Sequence, residues 1–202
     1  MRGLISRLLV PGLFGAEIWD EGQPVAVHLG EEIHVARSAE KRRRDFALGR
    51  ACARAALANL GHGEAVIAKS SDGAPLWPPG LAGSITHTAG YAAALAGEQR
   101  SFAGIGIDAE QVGGVTPDLW PRLFTTAEQD NLQAAPDPLL TATLLFSAKE
   151  ASYKAWALKG ALAFQEIEVS LAAGGFSAVH ARARIAGRHA MENGIALVAA
   201  WR

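Results

Sequence analysis

Asp108 and Glu110 stand two residues apart in GIGIDAE. Taken as a strand, this stretch turns Ile105, Ile107 and Ala109 to one face and Gly104, Gly106, Asp108 and Glu110 to the other. Two acids on one face, with small residues that leave room beside the backbone, suit a hard divalent cation. Mg²⁺ commonly takes one or two carboxylates and fills its octahedron with water and phosphate oxygens. A strand end running into solvent would look the same. A second charged group lies in FSAKEASYKAW, where Lys149, Glu150 and Lys154 stand among Phe146, Tyr153 and Trp156. Glu150 and Lys154 share a helix face at i, i+4 and could simply pair. A third carboxylate near Asp108 and Glu110 would be repelled unless a cation stood between them, whereas neighbouring lysines suit phosphate oxygens. One site for a metal ion and a phosphate ester accounts for all of these charges.

More anion-binding capacity lies upstream. Arg42, Phe46 and Arg50 follow one i, i+4 ridge, with Arg54 continuing it, which puts the guanidinium groups at the border of an apolar stripe. A guanidinium there can fork onto phosphate, although EKRRRD alone reads as well as a solvated basic face. Lys69 precedes the proline-rich SSDGAPLWPPG and is unremarkable by itself. His87, between Thr86 and Thr88 in GSITHTAG, could be presented to an anion by a turn after a strand. The other histidines show no metal-ligand spacing. G-x-S-x-G, G-x-x-x-x-G-K-[ST] and G-x-G-x-x-G are all missing, so serine-hydrolase, P-loop and Rossmann readings lack their signatures.

The elements that must position these residues follow from periodicity and turn chemistry. Residues 1–36 read as short strands and turns, with PVAVHL a strand. RSAEKRRRDFALGRACARAALANLG reads as a long amphipathic helix, with Ser38 as its cap and Gly61 at its C-terminal end. SITHTAGYAAALAG suggests one buried strand and FAGIGIDAEQVGG a second. Thr125 and Glu128 have capping-box spacing. FSAKEASYKAW reads as helix, and EIEVSL and GIALVAAW as strands. The class is mixed α+β, one unit with two lobes meeting near residue 102.

Composition bounds the partners. The 202 residues carry 19 Lys and Arg against 20 Asp and Glu, a formal charge of -1, so no overall field attracts nucleic acid or an anionic membrane. Any anion must be held locally. Cys52 is the only cysteine, which excludes an internal disulfide and paired-cysteine zinc sites and fits a reducing compartment, with the cytoplasm expected. The opening MRGLISRLLVPGLFGA is interrupted by Arg7 and Pro11 and lacks an A-x-A pattern, so a secretory leader is not expected. No apolar run approaches the roughly 20 residues of a membrane-spanning helix.

Four stretches, KRRRDFALGRACARAAL, GAPLWPPGLAGSITHTAGYAAA, GIGIDAE and FSAKEASYKAW, in this order and separation, resemble the 4'-phosphopantetheinyl transferase superfamily. The nearest group serves siderophore and other natural-product synthetases. The resemblance implies two similar α/β lobes in a pseudodimer, residues 1–102 and 103–202, with the active site in the cleft between them. It implies transfer of the phosphopantetheine arm of coenzyme A to a serine of an apo acyl, peptidyl or aryl carrier protein, releasing adenosine 3',5'-bisphosphate.

By position in the motifs, Asp108, Glu110 and Glu150 look like ligands of Mg²⁺, with Mn²⁺ a possible substitute. Ala109, between the two acids, offers only its backbone carbonyl. Arg42, Arg50 and Lys69 resemble the basic residues around the nucleotide phosphates, and Thr86 and His87 the pair that meets the 3'-phosphate. Asp108 and Glu150 also face the coenzyme. Lys154 matches a lysine approaching the pyrophosphate, Lys149 is expected near the leaving group, and Glu150 is the expected acceptor of the serine proton. The adenosine is expected against the proline-rich loop, and the chain is expected to act as a monomer. The rival readings are a Mg²⁺-dependent phosphohydrolase built on the same acids and a coenzyme A-binding module without turnover.

Overall fold

The computed structural model describes residues 3–158 and 164–202; Arg2, in the leader-like opening, lies outside them. The first half contributes strand β1 (Leu13–Trp19), helix α1 (Glu40–Ala58), and strands β2 (Leu81–Thr88) and β3 (Tyr91–Glu98). The second contributes β4 (Ile105–Gln111), helices α2 (Trp120–Leu123), α3 (Thr126–Ala134) and α4 (Pro138–Trp156), and strands β5 (Glu168–Ala172), β6 (Gly175–His180), β7 (Ala183–Glu192) and β8 (Ile195–Trp201). The strands form two antiparallel sheets, ordered β1-β3-β2 and β4-β8-β7-β6-β5. In each, the first strand pairs with the last, and the last with its predecessor in the chain. The α+β class is as expected.

Strand alternation makes both sheets two-faced. On β3, Ala92, Ala94 and Ala96 join Leu48, Cys52, Ala53 and Leu57 of α1, while Tyr91, Ala93 and Leu95 join Ile105, Ile107 and Ala109 of β4 and Leu197 and Ala199 of β8. The other face of β8, Ala196, Val198 and Ala200, packs with Ala148, Ala151 and Ala155 of α4. The layers therefore run helix, sheet, sheet, helix. Alanine on the helix-facing sides keeps the layers close, and α4 is placed against the sheet that begins with the acid-bearing strand.

Four local expectations change. PVAVHL is not a strand: Pro24 has no N–H for a ladder, and Arg44 holds the approach to it through the Asp20 carboxylate and the Gln23 carbonyl. Leu13–Trp19 takes the edge beside β3 instead. SITHTAGYAAALAG belongs to two strands joined by a tight turn, with Thr88 opposite Tyr91. Ser38 does not cap α1, which starts after Ala39 without a side-chain cap. In the tail, β6 and β7 add to the two expected strands, and Asn193 and Gly194, at φ of 50° and 76°, make the tight β7–β8 turn. The Thr125–Glu128 capping box forms as expected. Among the described residues no helix is long and apolar enough to cross a membrane.

Candidate active site

Helix α4 lies directly on β4 because Gly106 within the strand and Gly104 just before it carry no side chain. A Cβ on Gly104 would fall on the Ala155 carbonyl oxygen, and one on Gly106 on that of Ala151. The room beside these glycines is thus filled by helix backbone, which corrects the expectation that a ligand enters there. The close approach lets Lys154 reach across: its ammonium donates to the Ile107 carbonyl at 3.0 Å and to Asp108 Oδ1 at 2.8 Å. Asp108 is 5% exposed, and its Oδ2 is buried without a hydrogen-bond partner.

Glu110 and Glu150 share this environment. Burial, then the negative charges of Asp108 and Glu150, push the Glu110 carboxyl up to about 7 against the pull of Lys154. Burial, then Asp108, raises that of Glu150, again opposed by Lys154. The charges of Asp108, Glu110 and Glu150 thus oppose one another, with Lys154 offsetting them in part, which favours an added proton or cation. Among the described residues no three acidic, histidine or cysteine side chains are grouped so as to hold a metal ion by themselves. The donor chemistry still fits Mg²⁺, which needs only one or two carboxylates when phosphate oxygens complete its sphere. The orphaned Asp108 Oδ2 is the atom that most lacks such a partner.

On the other side, Arg42, Arg50, Lys69 and His87, with Asp45, line a cavity of about 140 Å³. Arg50 is buried, donates through Nε to the Ile67 carbonyl at 2.8 Å and lies 4.5 Å from the Phe46 ring centre. Burial pulls its guanidinium down to about 10. Arg42 Nη1 stands 3.5 Å from His87 Nε2. Burial first, then Arg42, Lys154 and Lys41, push the His87 imidazole down, with Asp45 opposing. Through Gly73, Pro75 and Ile85 this cationic cavity opens into a larger one that Lys154, the partner of Asp108, also lines. Thr86 sits at the seam of the two sheets, its Oγ1 accepting the Ala109 N–H at 3.0 Å, while the Ala109 methyl turns into the core.

A larger cavity of about 580 Å³ runs from Pro75, Trp77 and Ser84 of the first half to Ile105, Tyr153 and Lys154 of the second. Gly73, Pro75 and Ile85 line both it and the cationic cavity, so the two are continuous. Trp77 from the proline-rich loop packs against Gly83, where a Cβ would meet the indole at 2.6 Å.

Lys149 is not part of this assembly. It is wholly buried, and its ammonium donates to Glu128 Oε2 at 2.6 Å and to the Leu123 and Phe164 carbonyls at 3.0 Å each. All three hydrogens are committed, which corrects its expected place beside a leaving group. Arg54 likewise turns from the ridge to Glu31, at 2.8 Å. Sequence reasoning missed Glu31 and read Glu128 only as a helix start. The capping-box spacing was a signal for the position of Glu128 but not for its second partner.

Comparisons with known proteins identify the family. The family model for the 4'-phosphopantetheinyl transferase N-terminal domain matches residues 30–97, and that for the 4'-phosphopantetheinyl transferase superfamily matches residues 104–197. The 4'-phosphopantetheinyl transferase Npt of Nocardia iowensis is 41% identical over 153 residues, 76% of this chain and 69% of that protein. PptT of Mycobacterium tuberculosis is 40% identical over 70% of this chain and 63% of its own length, and enterobactin synthase component D of Salmonella typhi 39% over 57% and 49%. The matches thus span about half to two thirds of the relatives' lengths. A holo-[acyl-carrier-protein] synthase from Thermotoga maritima superposes on half of this chain at a TM-score of 0.38 and 18% identity. With both halves matched by models of one family and a relative at 41% identity, the chain belongs to the 4'-phosphopantetheinyl transferase superfamily.

Proposed function

We propose that the chain transfers 4'-phosphopantetheine from coenzyme A to a serine hydroxyl of an apo carrier protein and releases adenosine 3',5'-bisphosphate. The observation that carries this reading is that the cavity lined by Arg42, Arg50, Lys69 and His87 opens, through Gly73, Pro75 and Ile85, into the cavity lined by Lys154, whose ammonium holds Asp108. A chain of net charge -1 can hold a polyanion only through such local concentration.

The two halves read as lobes of a pseudodimer, divided near residues 102 and 103, since they share a strand order and each covers its sheet with one long helix. The coenzyme would lie in the cleft between them, its phosphates on Arg42, Arg50, Lys69 and His87 and its adenosine against Trp77 and the proline-rich loop. Thr86, already fixed by Ala109, keeps its hydroxyl hydrogen for a 3'-phosphate oxygen. Asp108 and Glu110, with Glu150 and the Ala109 carbonyl near by, would hold Mg²⁺ or Mn²⁺. Such an ion would neutralise charge on the pyrophosphate oxygens.

In the transfer, the carrier serine Oγ bonds to the phosphorus of the phosphopantetheine arm while the bond from that phosphorus to the bridging oxygen of the nucleotide breaks. Glu150 accepts the serine proton. Its raised carboxyl range suits a base working near neutral pH. Lys154, held between Ile107 and Asp108, faces the charge that develops on the departing nucleotide. Relatives named enterobactin synthase component D favour siderophore and other natural-product synthetases as the pathway class. One chain supplies both sides of the cleft, which favours a monomer, and the single buried Cys52 favours the cytoplasm.

The test is to incubate the protein with coenzyme A and apo acyl, peptidyl and aryl carriers, with and without Mg²⁺, and weigh the carrier. Gain of one phosphopantetheine arm that needs Mg²⁺ and fails with Glu150→Ala is the expected result. Binding of coenzyme A with no modified carrier of any class would instead make the chain a binding module, and release of phosphate without a carrier would make it a phosphohydrolase.

A further inference from the structure

We propose that Glu31 is a positioning residue that aims Arg50 and Lys69 at the phosphates of the coenzyme; this rests on the reading of the cationic cavity as the coenzyme site. Glu31 is 0% exposed, while Leu29 and Ile33 on either side of it are 82% and 81% exposed. Burial of apolar surface would by default produce the reverse. A carboxylate is wholly buried only where partners hold it. Here Oε1 accepts from Arg54 Nη1 and from the Ile67 N–H, each at 2.8 Å, while Oε2 is buried without a hydrogen-bond partner.

The contact with Ile67 leads to the site. The carbonyl of the same residue accepts the Arg50 Nε–H at 2.8 Å, so Glu31, Ile67 and Arg50 form one hydrogen-bonded chain. With Nε occupied, the terminal amino groups of Arg50 are the ones left for the cavity it lines. Two residues further on, the Lys69 N–H donates to His34 Nε2 at 3.2 Å. Residues 31 and 34 therefore pin the segment from Ile67 to Lys69 at both ends. This segment needs such pins, because between α1 and β2 the chain forms no strand, only an isolated bridge from Lys69 to Pro75. Arg54 completes the arrangement by balancing the Glu31 charge from α1, the same helix that carries Arg50.

Glu31 touches no part of the coenzyme in this reading, so its loss should weaken binding and leave the chemical step alone. Glu31→Gln is expected to raise the dissociation constant for coenzyme A about tenfold, the scale of a misdirected charge-assisted contact to phosphate. The kcat at saturating coenzyme A should stay within about twofold, since Asp108 and Glu150 are untouched. In an Arg50→Met background the same change should cost less than about threefold, because the hydrogen-bonded chain then ends nowhere. His34→Ala leaves the buried carboxylate intact and tests the second pin, with a loss of about threefold expected from the lone Lys69 peptide.

The measurement is a calorimetric titration with coenzyme A well below the melting temperature of each variant, alongside the transfer assay. A lower melting temperature with unchanged coenzyme affinity in Glu31→Gln and His34→Ala would make both residues merely structural and overturn the proposal. A full tenfold loss in the Arg50→Met background would overturn the route through Arg50. A wild-type chain that fails to bind coenzyme A would overturn the reading of the cavity and this proposal with it. Wild-type binding and transfer with unaffected variants would overturn the positioning role alone.

Discussion

Two lysine–carboxylate pairs hang from the same helix, and they differ in what is left over. Lys149 meets Glu128 at 2.6 Å, and around them every group is answered: the lysine also takes two carbonyls, while Glu128 also accepts the N–H groups of Thr125 and Val169. Lys154 meets Asp108 at 2.8 Å, only slightly further away, yet Asp108 Oδ2 has no partner and two further carboxylates crowd the pair. The first pair ties α3, α4 and the start of β5 into one piece. The second leaves negative charge unanswered beside a cavity. Of these two pairs, the one with complete bonding serves structure, and the one with unanswered charge beside a cavity is poised for a ligand.

Breaking the satisfied pair should have the largest effect on folding. Lys149→Met leaves Glu128 charged and buried, and a loss of about 3–5 kcal/mol is expected, read from the denaturant midpoint. A loss below about 1 kcal/mol would erase the contrast. At the other pair the effect should fall on rate. Glu150→Ala is expected to lower carrier modification by about 10²- to 10⁴-fold, the range for a lost general base. The same change removes a repulsive neighbour of Asp108, so the melting temperature of the ligand-free protein should hold or rise. A marked fall would place Glu150 among the structural groups.

Gly106→Ala tests what brings the second pair together. The added methyl meets the Ala151 carbonyl, backbone that cannot swing aside, and a cost of about 1–3 kcal/mol is expected together with lost transfer as Lys154 is pushed from Asp108. Loss of stability with full transfer would separate the helix approach from the site.

The smallest effect is on pH dependence. The Glu110 carboxyl is raised from 4.5 to about 7, so its protonated form favours the folded state. That contribution is complete below pH 4.5 and is lost as pH rises through about 7. Chelator-treated protein should lose thermal stability over this interval, and Glu110→Gln should flatten the loss. An unchanged slope would remove Glu110 from the cluster.

Much of this was legible because local rules carried it. The two faces of GIGIDAE follow from strand alternation, and the Thr125–Glu128 spacing marked a helix start that forms. Other features lacked a local signature. Nothing near Glu31 indicates burial when its neighbours are apolar and exposed. The KE pair of α4 looks uniform in sequence, yet Lys149 and Glu150 point into different surroundings, since adjacent helix positions differ by about 100°. The Asn193–Gly194 turn of β7 and β8 escaped the sequence reading, and PVAVHL shows that β-branched residues beginning at a proline and lacking a free edge make no strand.

The sequence by itself determined which charges exist, their spacing, and the class of chemistry they suit, because residue type and period act over a few neighbours. Tertiary structure alone decided which charges meet. Asp108 and Lys154 are 46 residues apart and are joined only because Gly106 and the preceding Gly104 let one helix lie on one strand. Lys149, one turn earlier, is carried into the core by the same packing and bonded there to Glu128.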